Sequence, residues 1–478
     1  MRVPVNVKVR WFVPALTASS LLALLLGNFY YLLVLGVAWE VVNGLAFNKL
    51  YKTRNLKVQE LSDVFAWEIS GLLAFAGLFL SYFVGRLPSI ALVLMSLLTL
   101  YVREVKGKYI SPKVAFTLLF LAFTSTWFLS ADLNLVGGAV SPNDVVQEAS
   151  ALGTVNLPAV SYVYNSFSVF VGILGTPWFS IPFGAFFLPL TLYRMVKARN
   201  LENRVRLSLM IFAYWVYSTY IPSFSPLVDK VQYIPYMWFN GLGTYGPVSP
   251  SYLLTGIVGT YVVTAVLSFA FGSRQICSVT CTAPYMLQGS FTYSLKDFNR
   301  TSRLGRKMLG SKLTWWQKAS SATLMGSLLA LAVVSYLDQE GVLNVTFLGV
   351  DPVVYLCLLY FNFLWYVQFL LAPFLGNYAC VNMGVCQWGV VNQFFSYLGP
   401  FKLKVRDPMA CVNCRTVDCA KACPVGITDM RGGFIKKGEM KSFKCIGAGD
   451  CIEACPEDNI FIYDVRRAIR ERLSRKGG

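Results

Sequence analysis

The chain has 478 residues, 55% of them hydrophobic and only 14% charged, with a formal net charge of +18. Soluble domains carry about 25% charged residues, so these proportions exclude an ordinary soluble protein and place most of the chain in a bilayer. Histidine is absent, which excludes histidine-held haem, Rieske centres, His-ligated zinc or copper and acid–base catalysis by imidazole.

Ten hydrophobic spans are read at roughly 11–26, 29–47, 64–84, 87–102, 114–130, 167–192, 207–222, 251–272, 319–337 and 353–374. A helix crosses a bilayer with about 20 apolar residues, and several spans are shorter, so their limits are loose. Basic residues set the orientation. Arg2, Lys8 and Arg10 precede the first span, and Lys49, Lys52, Arg54 and Lys57 follow the second. Arg103, Lys106, Lys108 and Lys113 follow the fourth, and a group from Arg194 to Arg206 follows the sixth. The segment 273–318 adds eight basic residues against the single acid Asp297. Only Arg86 and Lys230 of the 42 Lys and Arg fall on the other side. The positive-inside rule then puts both termini in the cytoplasm of a multi-pass cell-membrane protein.

The outer loop at about 131–166 carries Asp132, Asp144 and Glu148 and no basic residue; it is read as a cover for helix ends. Glu40 and Glu68 sit at inferred cytoplasmic ends of spans, where a carboxylate reaches water, so an interfacial role is favoured over proton or quinone chemistry. The net charge is explained by insertion and by anionic lipid, and nucleic acid is not expected as a partner.

After the last span the composition turns charged and glycine-containing, and a separate domain is expected from about Phe401. It holds Cys411, Cys414, Cys419 and Cys423 followed by Pro424, then Cys445, Cys451 and Cys455 followed by Pro456. The two-cluster ferredoxin unit is C-x2-C-x2-C-x3-C-P, with its fourth cysteine on the other cluster. The first unit fits with a lengthened middle gap; in the second, Ala448 stands where a ligand belongs. Crossing the units gives Cys411, Cys414, Cys419 and Cys455 to a [4Fe-4S] cluster, and Cys423, Cys445 and Cys451 to a second. Three thiolates favour [3Fe-4S] there, with a [4Fe-4S] cluster carrying water, hydroxide or Asp450 on its fourth iron as the alternative. The stretch 425–444 reads as a short hairpin, and Arg466 to Lys476 as a basic helix on the membrane or facing an acidic partner.

Four more cysteines follow spans on the cytoplasmic side: Cys277-x3-Cys281 and Cys380-x5-Cys386. Each pair precedes an apolar-aromatic stretch containing Gln (Pro284 to Phe291; Trp388 to Phe395), as in a degenerate repeat. If the pairs meet, they supply four thiolates to a membrane-proximal cluster; redox-active dithiols are the alternative. Cys357, inside the tenth span, is read as a packing residue. The domains expected are 1–206 (transmembrane), 207–400 (transmembrane, with two cysteine-pair loops) and 401–478 (ferredoxin-like, α+β).

This layout resembles the membrane polyferredoxins, which include the nitrate-reductase and nitrous-oxide-reductase membrane ferredoxins and the cytochrome oxidase accessory protein. The resemblance covers about 250–478 and is closest over Cys423 to Gly433 and Cys445 to Pro456. Family members carry Cys-x3-Cys-Pro in both loops; here Thr282 and Gln387 replace the prolines. The resemblance implies exchange of single electrons with a quinone or with other redox and respiratory-complex subunits, and no catalysis by side chains. Two other readings remain: an accessory protein that reduces a metal or thiol during respiratory-enzyme assembly, and a membrane scaffold subunit.

Overall fold

The structure, a computed structural model, describes residues 177–228, 258–281, 314–346, 375–382, 386–414 and 416–476, with isolated positions between them and Ala91, Leu94 and Met95 before them. The spans expected at 11–26, 29–47, 64–84, 114–130 and 353–374, most of that at 87–102, the 131–166 loop, Glu40, Glu68 and Cys357 lie outside the described residues. The chain divides into two compact units, residues 1–183 with 348–350 and residues 184–347 with 351–478. In the first, Phe179 and Phe183 stack at 5.0 Å between ring centroids at the start of helix α1 (Pro177–Lys197).

The second unit contains all eleven described cysteines. Helix α2 (Leu201–Phe212) starts at Asn200, whose side-chain oxygen accepts the Glu202 amide at 2.8 Å, a favoured N-cap contact. It continues through a π-helical segment, Ala213–Tyr220, into a short helix α3 (Ile221–Phe224), covering the span expected at 207–222. Helix α4 (Gly259–Phe271) falls inside the expected 251–272, and α5 (Thr314–Gln339) encloses 319–337. Among the described residues one helix, Phe179–Lys197, is long and apolar enough to cross a membrane; Gly259–Phe271 and Leu329–Gln339 are shorter apolar helices.

Two short elements bring the cysteine loops together: helix α6 (Ala379–Asn382) and helix α7 (Gln387–Leu398). Helix α7 packs along α4 and also touches α5. Both helices bury polar side chains, Thr260, Thr264 and Ser268 on α4 and Asn392, Gln393 and Ser396 on α7, and Ser268 donates to Asn392 Oδ1 at 2.7 Å. Helix α4 stops at Gly272, whose φ of 78° suits glycine. A side chain there would strike the ring of buried Phe401, which is thereby seated on the helix end.

Beyond Phe401 lies a small α+β domain. Strand β1 (Lys402–Val405) leads to helices α8 (Pro408–Asn413), α9 (Asp418–Lys421) and α10 (Met430–Lys437), then strand β2 (Glu439–Met440). Helix α11 (Asp450–Glu453), strand β3 (Ile460–Tyr463) and helix α12 (Val465–Lys476) follow. The sheet is antiparallel in the order β2-β1-β3, with Leu403 opposite both Met440 and Ile462. Leu403, Met430, Phe434, Ile460 and Ile462 are buried in its core.

The hairpin expected within 425–444 is not formed. Arg431-Gly432-Gly433 lies inside α10, because Met430 and Phe434, one turn apart, both bury on the same face. Gly438, in the left-handed region, ends that helix, and β2 pairs with β1 rather than with a near neighbour. The basic C-terminal segment is helical as expected. It is anchored by Arg467, which donates to Glu202 Oε1 at 2.9 Å, and by Tyr463, whose hydroxyl donates to Glu471 Oε2 at 2.8 Å.

Candidate metal centres

The eleven described cysteines, all free, fall into three groups. In the first, Cys411, Cys414, Cys419 and Cys455 line one cleft together with Arg431, Phe434 and Asn459. Asp407 builds its near wall: its carboxylate accepts the Met409 and Ala410 amides at 2.8 and 3.2 Å, and Pro408 occupies the first turn of α8. That short helix carries Cys411 and ends at Cys414. Asn459 ties the wall to β3. Its Oδ1 accepts the Arg406 and Asp407 amides, both at 2.9 Å, while Nδ2 donates to the Asp407 carbonyl at 2.7 Å and reaches Cys411 Sγ at 3.5 Å. Arg431 donates to the Cys411 and Val412 carbonyls, both at 3.0 Å.

The second group is Cys423, Cys445 and Cys451, all buried. Cys451 lies within electrostatic reach of Cys423, Cys445, Asp450 and Cys419, so the first two groups adjoin. The Ile427 amide donates to Cys423 Sγ at 3.4 Å, and the Gly447 amide bonds to Cys445. Ala448, where the sequence lacks a cysteine, is only 6% exposed. Asp450 is engaged elsewhere: its Oδ1 accepts Arg194 Nη2 at 2.7 Å.

The third group unites the two loops, which are about a hundred residues apart in sequence. Cys380 interacts electrostatically with Cys386, Cys281 and Cys277, and Cys277 with Cys386. Asn392, held by Ser268, turns its Nδ2 to Cys277 Sγ at 3.3 Å. Amides of Trp388 and Gly389, at the start of α7, bond to Cys386, and that of Val381 to Cys380. The repeat of the two loops is only partly visible, since most of Pro284 to Phe291 lies outside the described residues.

Burial dominates the thiol chemistry. It pushes Cys277 and Cys445 up to about 12 and Cys386 and Cys419 up to about 11, and drives Cys380 and Cys451 well up. As bare thiols these groups stay protonated and poorly nucleophilic. Amide donors already aimed at several of the sulfurs suit deprotonated, metal-bound sulfur instead. Among the described residues no three Cys, Asp or Glu side chains converge on a point fit for a single ion. Soft cysteine sulfurs with backbone amides aimed at them are a donor set that fits an iron–sulfur cluster.

Residues 403–456 match the family described as 4Fe-4S dicluster domain. That stretch is a dicluster ferredoxin domain. A protein of Methanocaldococcus jannaschii, described as an uncharacterized ferredoxin, is 28% identical over 92 residues, which cover 18% of this chain and 52% of that protein. The chain thus spans about half the length of that curated relative. No solved structure matches. The dicluster domain accounts for cysteine-held 4Fe-4S chemistry and for iron–sulfur electron transfer.

Sequence reasoning missed several groups here. Asn459 and Asn392, which donate to cysteine sulfurs, carry no motif. Arg194 and Arg206 were read as topology charges, yet they are 7% and 0% exposed and face the dicluster domain.

Proposed function

We propose that this chain is an integral-membrane electron-transfer protein, akin to the membrane polyferredoxins, that passes single electrons through three iron–sulfur sites. The observation that carries this reading is the gathering of Cys277, Cys281 and Cys386 within electrostatic reach of Cys380, in the same unit as a dicluster domain. Cys411, Cys414, Cys419 and Cys455 would hold a [4Fe-4S] cluster, and Cys423, Cys445 and Cys451 a [3Fe-4S] cluster. The membrane-proximal four would hold a third. Bound clusters supply one-electron redox chemistry with no bond-making by side chains.

Two features support three irons at the second site. Ala448 is buried, which leaves water little access to an open corner, and Asp450 is held by Arg194. The residues of the chain do the rest. They space the sites, exclude water from the second and third, and donate hydrogen bonds to sulfur, which raises a potential. Electrostatic interactions run from one group towards the next: Cys419 acts on Cys451, and Asp450 and Cys380 both act on buried Tyr378.

The ten-helix topology, with both termini and the dicluster domain cytoplasmic, rests on the distribution of basic residues. It sets the third site beside the bilayer, where a quinone or a membrane-bound respiratory subunit would exchange electrons with it, and lipid would meet the basic face. Anaerobic purification with iron counting and electron paramagnetic resonance tests the inventory. Three sites of these types hold about eleven irons per chain. About seven, with a three-iron signal present, would remove the membrane-proximal cluster. A chain with accessible, rapidly alkylated Cys277 and Cys380 as isolated would favour the assembly-factor reading.

A further inference from the structure

We propose that Arg206 raises the reduction potential of the cluster at the three-cysteine site by setting a buried positive charge against the loop that lacks the fourth thiolate. The inference rests on the cluster assignment above.

The loop from Cys445 to Cys451 is gripped by the helical part of the second unit. Ser278 Oγ donates to the Ile446 carbonyl at 2.8 Å. Gly447 has a φ of 63°, and a methyl group there would stand 2.5 Å from Arg274 Cβ. On Gly449 it would stand 3.4 Å from Asn203 Oδ1 and 3.9 Å from Arg206 Nε. Ala448 lies between those two glycines, so the missing-ligand corner is packed against Arg206 and its neighbours.

Arg206 is wholly buried, with Nε donating to Asn203 Oδ1 at 3.0 Å and Nη1 to the Ser278 carbonyl at 3.5 Å. The other charges facing this corner are identifiable. Arg194 pairs with Asp450 at 2.7 Å, Arg274 lies 3.9 Å from Glu202, which also pairs with Arg467, and Glu453 accepts Asn203 Nδ2 at 3.4 Å. Burial and Arg194 together push the Arg206 guanidinium down to about 9, and it is charged at neutral pH. A low-dielectric interior gives such a charge long reach.

Reduction would add one electron to a cluster whose thiolates and sulfides already make it negative. A fixed cation therefore favours the reduced form and raises the potential. The effect needs no contact with iron, only a charge held out of water. Arg206 is thus a positioning and tuning residue.

The test is a potentiometric titration of the purified full-length chain, with dithionite as reductant and ferricyanide as oxidant, read by the resonance of each cluster. Arg206→Met should lower the potential of the second cluster by at least tenfold in its one-electron equilibrium, 59 mV, with the first cluster moving less. Arg206→Lys should restore most of it, and Arg204→Gln, an exposed arginine half a turn away, should leave it unchanged. Where Arg206→Met does not accumulate, Arg206→Gln is titrated instead, with the same expected sign. A second cluster whose potential ignores both substitutions, or moves upward, overturns the proposal alone. A native chain with no titratable second cluster overturns the assignment beneath it as well.

Discussion

The first cysteine group and the third are each four thiols, but they are built in different ways. Cys411, Cys414, Cys419 and Cys455 come from one domain and line a cleft that opens at the surface, beside exposed Met409 and Val412. Cys277, Cys281, Cys380 and Cys386 come from two loops brought together by the packing of α4 against α7, and three of the four are buried. The first site is thus partly exposed to solvent, whereas Cys277, Cys380 and Cys386 of the other are buried. A short motif suffices for the first; the second exists only while the helices hold their register.

That contrast can be broken most severely by removing a ligand. Cys380→Ser should cost the third site all of its iron, about four per chain, and leave the signals of the dicluster domain intact. Cys419→Ser should do the reverse. Iron analysis with resonance on both variants checks this, and loss of all iron from either would show that the sites do not assemble separately.

A substitution between the two groups sharpens the picture. Ala448→Cys should abolish the oxidised-state three-iron signal and add about one iron per chain. Retention of that signal would show that the corner at Ala448 does not face the cluster.

Smaller effects are expected where the helices meet the dicluster domain. Gly272→Ala demands a left-handed φ from alanine and drives a methyl group into the Phe401 ring. A loss of about 1–3 kcal/mol follows from strain of this kind. Thermal unfolding should show it, with the third site lost before the first. Smallest of all, Asn392→Leu removes the donor to Cys277 Sγ. The third cluster should become harder to reduce by about 1 kcal/mol, the net worth of one hydrogen bond, while Asn459→Leu should act on the first cluster alone.

Accessibility offers a separate check. After iron is chelated, alkylation followed by peptide mapping should label Cys411 and Cys414 ahead of Cys277, Cys445 and Cys451, in keeping with their exposure. Uniform labelling would mean that the buried groups open when iron leaves.

The spacing of the cysteines made the terminal dicluster domain legible, because cluster ligation is a local constraint repeated in a fixed order. Long apolar runs also marked where α4 ends and where most of α5 lies, although α5 begins five residues before the expected 319 and 251–257 lies outside the described residues. Helix α10 was not: two adjacent glycines mimic a turn, and only the burial of Met430 and Phe434 reveals a helix. The roles of Arg194 and Arg206 were hidden for another reason. A basic residue beside a membrane span looks the same whether it waits in water or enters an interior, and its partners lie far along the chain. Arg194 meets Asp450 across 256 positions. Asn459, four residues past Cys455, is the one supporting group whose place in the sequence hints at its work.

The grip of Ser278, Asn203 and Arg274 on the 446–449 loop has a bearing on biogenesis. Residues 184–400 leave the ribosome before 401–476, so Ser278, Asn203, Arg274 and Arg206 can meet this loop only once the C-terminal domain has been made.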